Sequence, residues 1–257
     1  MKVTYALFLL FMSISAQAAD LITLNTRDGV QQKFILMKPE NPIASVILFA
    51  GGKGALDLQG SSSMNWGRNN FLVRSRELFA NNNFIVAVVD APSDQHDEQG
   101  MLGGFRDSDE HVVDIDHVIG YLREEFKLPV WLVGTSRGTE SATKLAIFSE
   151  QEPHGLVLTS SMVGENANGA AVTEMNLEAI TIPTLVVSHL QDGCHHTPHE
   201  GADVIKNMLE NSKNVEVKKF DGGDEISNNP CKAKTHHGFL DIEEDVVNYI
   251  SKFIKQN

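Results

Sequence analysis

The chain has 257 residues, with 34 acidic and 21 basic side chains, and its formal net charge is −13 at neutral pH. This excess of acid disfavours attraction to nucleic acid and to anionic surfaces, so neither is expected as a partner. The length suits one large domain, because a chain of this size buries a substantial core without a structural metal.

Residues 1–18 have the three parts of a secretory signal peptide. A short positive region is followed by an apolar run over residues 5–14 and by the small residues of a cleavage site. The apolar run is shorter than the roughly 20 residues that span a bilayer, and no later segment reaches that length. The sequence therefore predicts cleavage after Ala18, or alternatively after Ala19, and export of residues 19–257 to the periplasm or the medium.

Eight short apolar segments recur along the predicted mature chain. Apolar segments of this length, without polar alternation, are typical of strands that are buried on both faces of a mostly parallel sheet. The predicted strands cover residues 21–26, 33–37, 45–50, 84–89, 130–133, 156–159, 184–188 and 215–220.

Helical patterns fill the intervals between these strands. A long helix is expected after Ser108, which is a suitable N-cap. Residues 197–200 form the pattern of a capping box, with Pro198 at the first helical position. The alternation of strand and helix predicts one doubly wound α/β domain over residues 19–257. Residues 163–180 form an irregular insert that is too short for a separate lid domain.

A serine flanked by glycines follows the fifth predicted strand. The sequence Gly134-Thr135-Ser136-Arg137-Gly138 begins where that strand ends, and a helix-compatible stretch starts at Arg137. A strand that turns this sharply into a helix leaves no room for side chains two residues before and after the serine. Such a turn exposes the hydroxyl for nucleophilic attack, provided that a base contacts it. We therefore predict that Ser136 is a nucleophile.

Partners for Ser136 follow in the chain order Ser, Asp, His. Asp192 comes just after the seventh predicted strand, at the edge where ligands gather in open α/β sheets. His237 lies between the last strand and the last helix, and Gly238 beside it permits close approach of the backbone. His236 is the alternative base. Weaker candidates for the acid are Asp203, Asp221 and Asp224.

Two backbone N–H groups are expected to bind the oxyanion that forms when Ser136 attacks a carbonyl group. One is the N–H of Arg137, at the N-terminus of the following helix. The other should come from the glycine-rich loop 50–54, from either Gly52 or Lys53. A phosphate-binding interpretation of this loop fails, because the loop lacks the spacing G-x-x-x-x-G-K-[ST].

Cys194 and Cys231 are the two cysteines of the chain, and one disulfide is predicted in an oxidising compartment. Cys194 lies two residues after Asp192, and Cys231 lies six residues before His237. The bridge would hold the acid loop in register with the base loop. One alternative is a disulfide that only stabilises a surface loop, and the other is two free thiols.

Other functional residues are weighed beside the triad. Cys194, His195, His196 and His199 are metal-ligating residue types close together in the sequence, but the cysteine is better used in the disulfide and no metal is expected. The guanidinium of Arg137 is a candidate for binding a carboxylate of the substrate. Aromatic candidates for the pocket wall are Trp66, Phe71 and Phe105.

The order and spacing of these motifs resemble the α/β-hydrolase superfamily over residues 21–257. The pentapeptide around Ser136 resembles its nucleophile elbow, Asp192 its acid after the seventh core strand, His237 its base, and Gly51-Gly52 its oxyanion loop. The chain is similar to small lidless bacterial hydrolases of the dienelactone-hydrolase and prolyl-oligopeptidase-like kind. It differs from dienelactone hydrolase in having serine in place of the nucleophilic cysteine.

The resemblance implies acyl transfer to water through an acyl-enzyme intermediate, without a cofactor. Hydrolysis of a carboxylic ester in a small-molecule or other acyl substrate is the first expectation. A peptidase or amidase that uses the same triad is the second. An exported binding protein of the same fold, without activity, is the alternative from another class, since one fold hosts many functions.

Overall fold

The computed structural model describes residues 19–164 and 168–257. The predicted signal peptide lies outside these residues. Within them, no helix is both long and apolar enough to cross a bilayer.

The described residues form eight strands in one sheet, in the order β1-β2-β4-β3-β5-β6-β7-β8. Strands β1 and β2 run antiparallel to their neighbours, and the other strands are mutually parallel. The prediction of a mostly parallel sheet is confirmed, and each predicted strand is present to within a few residues. The bounds are β1 Ala19–Arg27, β2 Val30–Met37, β3 Ala44–Phe49, β4 Phe84–Val89, β5 Val130–Thr135, β6 Gly155–Thr159, β7 Thr184–His189 and β8 Val215–Phe220.

Six α-helices accompany the sheet in the described part of the chain. Ser108 is the N-cap of the long third helix, as predicted, and its side chain accepts a hydrogen bond from the N–H of His111. In place of a lid, the described residues of the insert 163–180 include two short 3₁₀ turns. The helices are α1 Phe71–Arg74, α2 Arg76–Asn81, α3 Asp109–Phe126, α4 Gly138–Phe148, α5 Gly201–Met208 and α6 Glu243–Gln256.

The predicted start of the fifth helix is wrong. The helix begins at Gly201, and its N-cap position is Glu200, which makes no side-chain cap. Thr197 therefore does not cap it. The hydroxyl of Thr197 instead contacts Asp192, which is near in the sequence, and the buried ring of the distant His237.

Two apolar cores lie on opposite faces of the sheet, and consecutive side chains of a strand alternate between them. Val46 and Leu48 belong to one core, whereas Ile47 and Phe49 belong to the other. Helices α1, α2 and α6 cover the first face, and α3, α4 and α5 cover the second. Because both faces of the sheet are covered at its centre, strands β3 to β7 are fully buried and mostly apolar, which explains their unalternating sequence.

The parallel strands bring their carboxyl ends to one edge of the sheet. Strand β3 ends at Phe49, β5 at Thr135 and β7 at His189. The loops that carry the glycine-rich segment, Ser136 and Asp192 therefore start from the same edge. This edge is where a site assembled from distant parts of the sequence is expected.

Candidate active site

Ser136 lies in a sharp turn between β5 and α4. Its φ angle is +52°, in the left-handed region that non-glycine residues rarely adopt. The Ser136 N–H donates to the carbonyl of Thr159 over 2.9 Å, which ties the turn to the end of β6. Strain of this kind persists only where the surroundings impose it, and it is concentrated at functional sites.

The two flanking glycines are required by close backbone contacts. A Cβ on Gly134 would lie 2.4 Å from the carbonyl oxygen of Gly138, and one on Gly138 would lie 2.1 Å from that of Phe49. Both distances are far inside van der Waals contact, so any side chain would force the turn apart. The predicted reason for the glycines is confirmed.

The glycine-rich loop after β3 touches the serine. A Cβ on Gly51 would lie 2.9 Å from Cβ of Ser136, so only glycine permits this approach. Gly52 has a φ angle of +61° and faces the ring of Trp66. Gly51, Gly52 and Ser136 line the same cavity, whereas the ammonium of Lys53 lies 6.0 Å from the ring centre of Trp66.

Asp192 and His237 meet beside this turn. Nδ1 of His237 lies 3.0 Å from Oδ2 of Asp192, and both side chains are almost fully buried. Thr197, which the sequence pattern assigned to a helix cap, joins them. Its hydroxyl lies 2.9 Å from the same Asp192 oxygen and 3.0 Å from Nδ1 of His237. Asp192 thus receives the contacts that would fix its rotamer and orient the imidazole.

The backbone of His237 is anchored on both sides. Ser160 donates its hydroxyl to the His237 carbonyl over 2.8 Å, and the His237 N–H donates to Oγ1 of Thr235 over 3.2 Å. Gly238 has the carbonyl of Ala233 against it, at 2.0 Å from an added Cβ. The predicted need for glycine beside the histidine therefore has a specific contact as its cause.

His236, the alternative base, faces another direction. Its ring stacks on that of His189, with centroids 4.7 Å apart, and its Nδ1 lies 3.7 Å from a carboxylate oxygen of Glu225. Burial lowers the pKa of His189, which favours the neutral form of that ring. Among the described residues that line the cavity is His237, whereas His236 is not one of them.

The predicted disulfide is present between Cys194 and Cys231, whose Cα atoms are 4.6 Å apart. The N–H of Cys194 donates to Oδ1 of Asp192 over 2.9 Å. Cys231 lines the cavity. The bridge therefore joins the loop that carries Asp192 to a wall of the cavity. Its second cysteine, Cys231, also lies six residues before His237 in the sequence.

The cavity has a volume of about 700 Å³ and is open to solvent. Trp66 and Phe71 belong to its wall, as expected. Phe105 packs instead against the small cluster of Ala55, Ala91 and Met101. Ser136 and His237 both line the cavity, together with polar and apolar side chains, which suits a small organic molecule.

Arg137 does not offer its guanidinium to the cavity. Nη1 lies 3.2 Å from a carboxylate oxygen of the buried Glu140, and the Arg137 side chain is only 12 % exposed. Its proposed contact with a substrate carboxylate is therefore unsupported. The backbone of Arg137 occupies the N-cap position of α4, next to Ser136.

Arg106 is a buried cation that the sequence patterns did not single out. Its guanidinium donates to the carbonyls of Ala50 (2.9 Å) and Gly52 (3.2 Å) and to the hydroxyl of Ser141 on α4 (2.7 Å). Burial lowers its pKa to about 10, and nearby Glu140 opposes that shift. Arg106 thus holds the glycine-rich loop against the helix that follows Ser136.

Asn70 is a second residue that the sequence patterns missed. Its Oδ1 accepts from the N–H of Leu72 at the start of α1, which orients the amide. Nδ2 then lies 3.4 Å from the position that a Cβ on Gly51 would take, in the wall of the cavity near Ser136. An amide donor is therefore available at the site.

The remaining sequence candidates lie apart from the cavity lining. Asp203 pairs with Lys219 over 2.6 Å, and Asp221 caps the N–H of Gly222. Cys194 uses its sulfur in the disulfide. In the described part of the chain, His, Cys, Asp and Glu form no group of three or more that is arranged to hold a metal ion.

Comparisons with solved structures identify the fold. The chain is similar to an esterase of Pyrococcus furiosus, with a TM-score of 0.65, 15 % identity and coverage of 94 % of this chain and 93 % of that one. Est1E of Butyrivibrio proteoclasticus is similar with a TM-score of 0.62 and 14 % identity, over 92 % of this chain and 98 % of that one. A dienelactone hydrolase of Anabaena variabilis is similar with a TM-score of 0.64 and 13 % identity, over 93 % of this chain and 98 % of that one. The chain therefore has the α/β-hydrolase fold. No family model and no curated protein matches it.

Proposed function

We propose that this protein is a serine hydrolase that cleaves a carboxylic ester, with Ser136 as nucleophile, His237 as base and Asp192 as the acid that orients it. The observation that carries the proposal is the strained Ser136 turn, which shares one cavity with a histidine bonded to a buried aspartate. This arrangement supports a serine triad, in which the base takes the proton of the serine and the acid orients the base. The similarity to esterase structures supports it at the level of the fold.

In the proposed reaction, the hydroxyl of Ser136 attacks the ester carbonyl carbon while Nε2 of His237 takes its proton. The tetrahedral intermediate collapses, the carbon–oxygen bond to the alcohol breaks, and the alcohol leaves with the proton from His237. Water then attacks the acyl-enzyme by the same route in reverse, which releases the acid and restores Ser136. Asp192 holds the imidazole in the required tautomer and stabilises its positive charge.

The oxyanion of each intermediate is proposed to bind the N–H of Arg137 and that of Gly52 or Lys53. The position of Arg137 at the start of α4 supports the first donor, because a helix N-terminus favours negative charge. The contact of Gly51 with Ser136 supports the loop as the source of the second. The amide of Asn70 adds a side-chain donor to this group. Donors aimed at developing charge are a major source of catalysis in acyl transfer.

A small substrate suits a cavity of about 700 Å³. A structure of Est1E, one of the similar proteins, contains ferulic acid, which supports a small organic acyl compound here. We also propose that the protein is exported. The disulfide supports this, since disulfides persist mainly in oxidising compartments, and the N-terminal sequence has the pattern of a signal peptide.

The proposal is tested with a series of p-nitrophenyl esters of rising chain length, peptide p-nitroanilides, and a fluorophosphonate probe. We expect the wild type to hydrolyse esters and Ser136→Ala to be inactive and unlabelled. Faster turnover of the anilides would assign the protein to the peptidases or amidases. If the wild type and Ser136→Ala are equally slow on every substrate, and the probe labels neither, the fold serves binding and the hydrolase proposal is wrong.

A further inference from the structure

The charge of the cavity is opposite to that of the whole protein. The chain carries 34 acidic and 21 basic residues, yet the charged residues among the described lining are Arg68, Lys232 and Lys234, with no aspartate or glutamate. An acidic protein repels anions at long range, so a basic cavity provides a local region where an anion is attracted.

The three cations are not balanced by carboxylates. Within the described residues, none of Arg68, Lys232 and Lys234 forms an ion pair, whereas many other basic side chains of this protein do. Nη2 of Arg68 donates to the carbonyl of Met64 over 3.3 Å, which is a neutral partner. Their positive charge is therefore available to a bound molecule.

The wall that carries the two lysines has a fixed backbone. The disulfide holds Cys231, directly before Lys232. Oγ1 of Thr235 lies 2.8 Å from the carbonyl of Lys232, and Nη1 of Arg74 donates to the carbonyl of Ala233 over 3.1 Å. The lysines thus project from an anchored segment of the cavity wall.

The same cavity exposes apolar surface beside these cations. Ile226 is 68 % exposed, which is the largest exposed fraction among the large apolar residues that the structure describes. Trp66 is 37 % exposed. Both line the cavity. A small inorganic anion would leave this surface uncovered, whereas an organic anion would cover it and meet the cations.

From the combination of cations, apolar surface and Ser136 in one cavity, we propose that the substrate is an ester that carries a carboxylate group. This proposal rests on the hydrolase function argued above and specifies its substrate class. The apolar part of the substrate lies on Ile226 and Trp66, and its carboxylate is bound by Lys232, Lys234 and Arg68.

The test compares esters that are matched except for charge. Mono-p-nitrophenyl glutarate and p-nitrophenyl pentanoate place the difference in the acyl part, and 4-acetoxybenzoate and 4-acetoxybenzamide place it in the leaving group. In the wild type we expect kcat/KM for the anionic member of one pair to exceed that for the neutral member by about tenfold or more, the scale of electrostatic steering. The pair that shows this preference identifies the side on which the carboxylate lies.

The variant Lys232→Gln/Lys234→Gln should reduce this ratio by about tenfold, because attraction by the cations acts on the charged ester alone. The control Lys206→Gln/Lys213→Gln makes the same change of net charge at exposed residues outside the cavity lining, and should preserve the ratio. High salt should weaken the preference in the wild type. If the lysine variant loses kcat/KM equally on both members of a pair, the preference for the anionic ester does not depend on these lysines, and the proposal is contradicted.

Binding to Ser136→Ala, measured by calorimetry with the same esters, separates this proposal from the hydrolase function. Tighter binding of the glutarate ester than of the pentanoate ester supports the anionic subsite, even if the wild type turns over neither. Turnover of neutral esters without any preference for anionic ones, in both pairs, overturns the subsite and leaves the hydrolase proposal intact. Absence of both turnover and preferential binding overturns both.

Discussion

The hydroxyl of Thr197 lies 3.0 Å from Nδ1 of His237, the same ring nitrogen that contacts Asp192. A hydroxyl donates one proton and accepts through its lone pairs. Thr197 can therefore donate to Asp192 and accept, together with that carboxylate, from the N–H of His237. The three groups form a closed triangle of contacts in a buried setting.

Thr197→Val should lower kcat by roughly tenfold, because it removes a hydrogen bond to a charged group while keeping the side-chain shape. KM should change little, since Thr197 does not line the cavity. Steady-state kinetics on the best ester provide the measurement. Thr197→Ser restores the hydroxyl and should recover most of the activity. If it recovers none, Thr197 acts through packing alone.

His237→Ala and His236→Ala form a matched pair of neighbouring substitutions. The first should lower kcat by at least roughly 10³-fold, as expected for loss of a general base that activates serine. The second should retain activity within a few-fold, because His236 stacks on His189 outside the cavity lining. Both are measured with the same ester at saturating concentration. The reverse order of effects would assign the base to His236.

Asn70→Asp tests the amide donor without removing the helix cap. Aspartate caps a helix as well as asparagine does, so the melting temperature should stay close to that of the wild type. The variant should lose roughly 10²-fold in kcat, because a donor becomes an acceptor beside the oxyanion. Asn69→Asp is the control, since it places the same charge on the adjacent residue of the cavity wall. Equal losses in both variants would show that charge alone causes the effect.

Cys194→Ser/Cys231→Ser should destabilise the protein and also reduce its activity. The bridge closes a loop across a sequence separation of 37 residues, for which chain entropy gives a stabilisation of up to about 4 kcal/mol. Activity should fall because the Asp192 loop loses its link to the cavity wall. Denaturant unfolding and ester kinetics measure the two effects. A reducing agent should affect the wild type and leave this variant unchanged.

The buried His111 makes stability depend on pH. Burial lowers its pKa to about 3, with Arg106 adding to the shift, so the folded protein keeps the imidazole neutral. Neither ring nitrogen has a hydrogen-bond partner among the described residues. The unfolded chain binds a proton below its ordinary pKa of about 6.5, so the free energy of unfolding falls as the pH decreases below that value.

His111→Phe should remove this contribution while filling the space beside Phe49 and Phe105. Between pH 7 and pH 5, the wild type should lose about 2 kcal/mol more of its unfolding free energy than the variant does. Urea unfolding at the two pH values measures the difference. Parallel pH profiles of the two proteins would mean that His111 is not the responsible group.

The features that the sequence predicted are those encoded locally. The eight strands follow from apolar segments, and the turn at Ser136 follows from two glycines within five residues. Thr197 was assigned to a helix cap because its neighbours match that local pattern. In the structure its partner His237 lies 40 residues away, and the contact satisfies both buried groups.

Arg106 and Asn70 were missed for a related reason. Arg106 contacts Ala50 and Ser141, which are 56 and 35 residues away in the sequence, and no sequence motif predicts such a contact. Asn70 caps a helix of four residues that is too short to give a helical period in the sequence. The basic character of the cavity was hidden as well, because Arg68 is distant in sequence from Lys232 and Lys234 and the overall charge of the chain is negative.

The contact of Arg106 with the glycine-rich loop also determines how the peptide dipoles of that loop are aligned. The carbonyl oxygens of Ala50 and Gly52 are directed to the buried guanidinium. In a trans peptide the N–H group lies opposite the carbonyl, so the N–H groups of Gly51 and Lys53 are directed away from Arg106. One cation beneath the loop thus orients two peptide units before any substrate arrives, so the proposed acyl transfer would need no reorganisation of those dipoles.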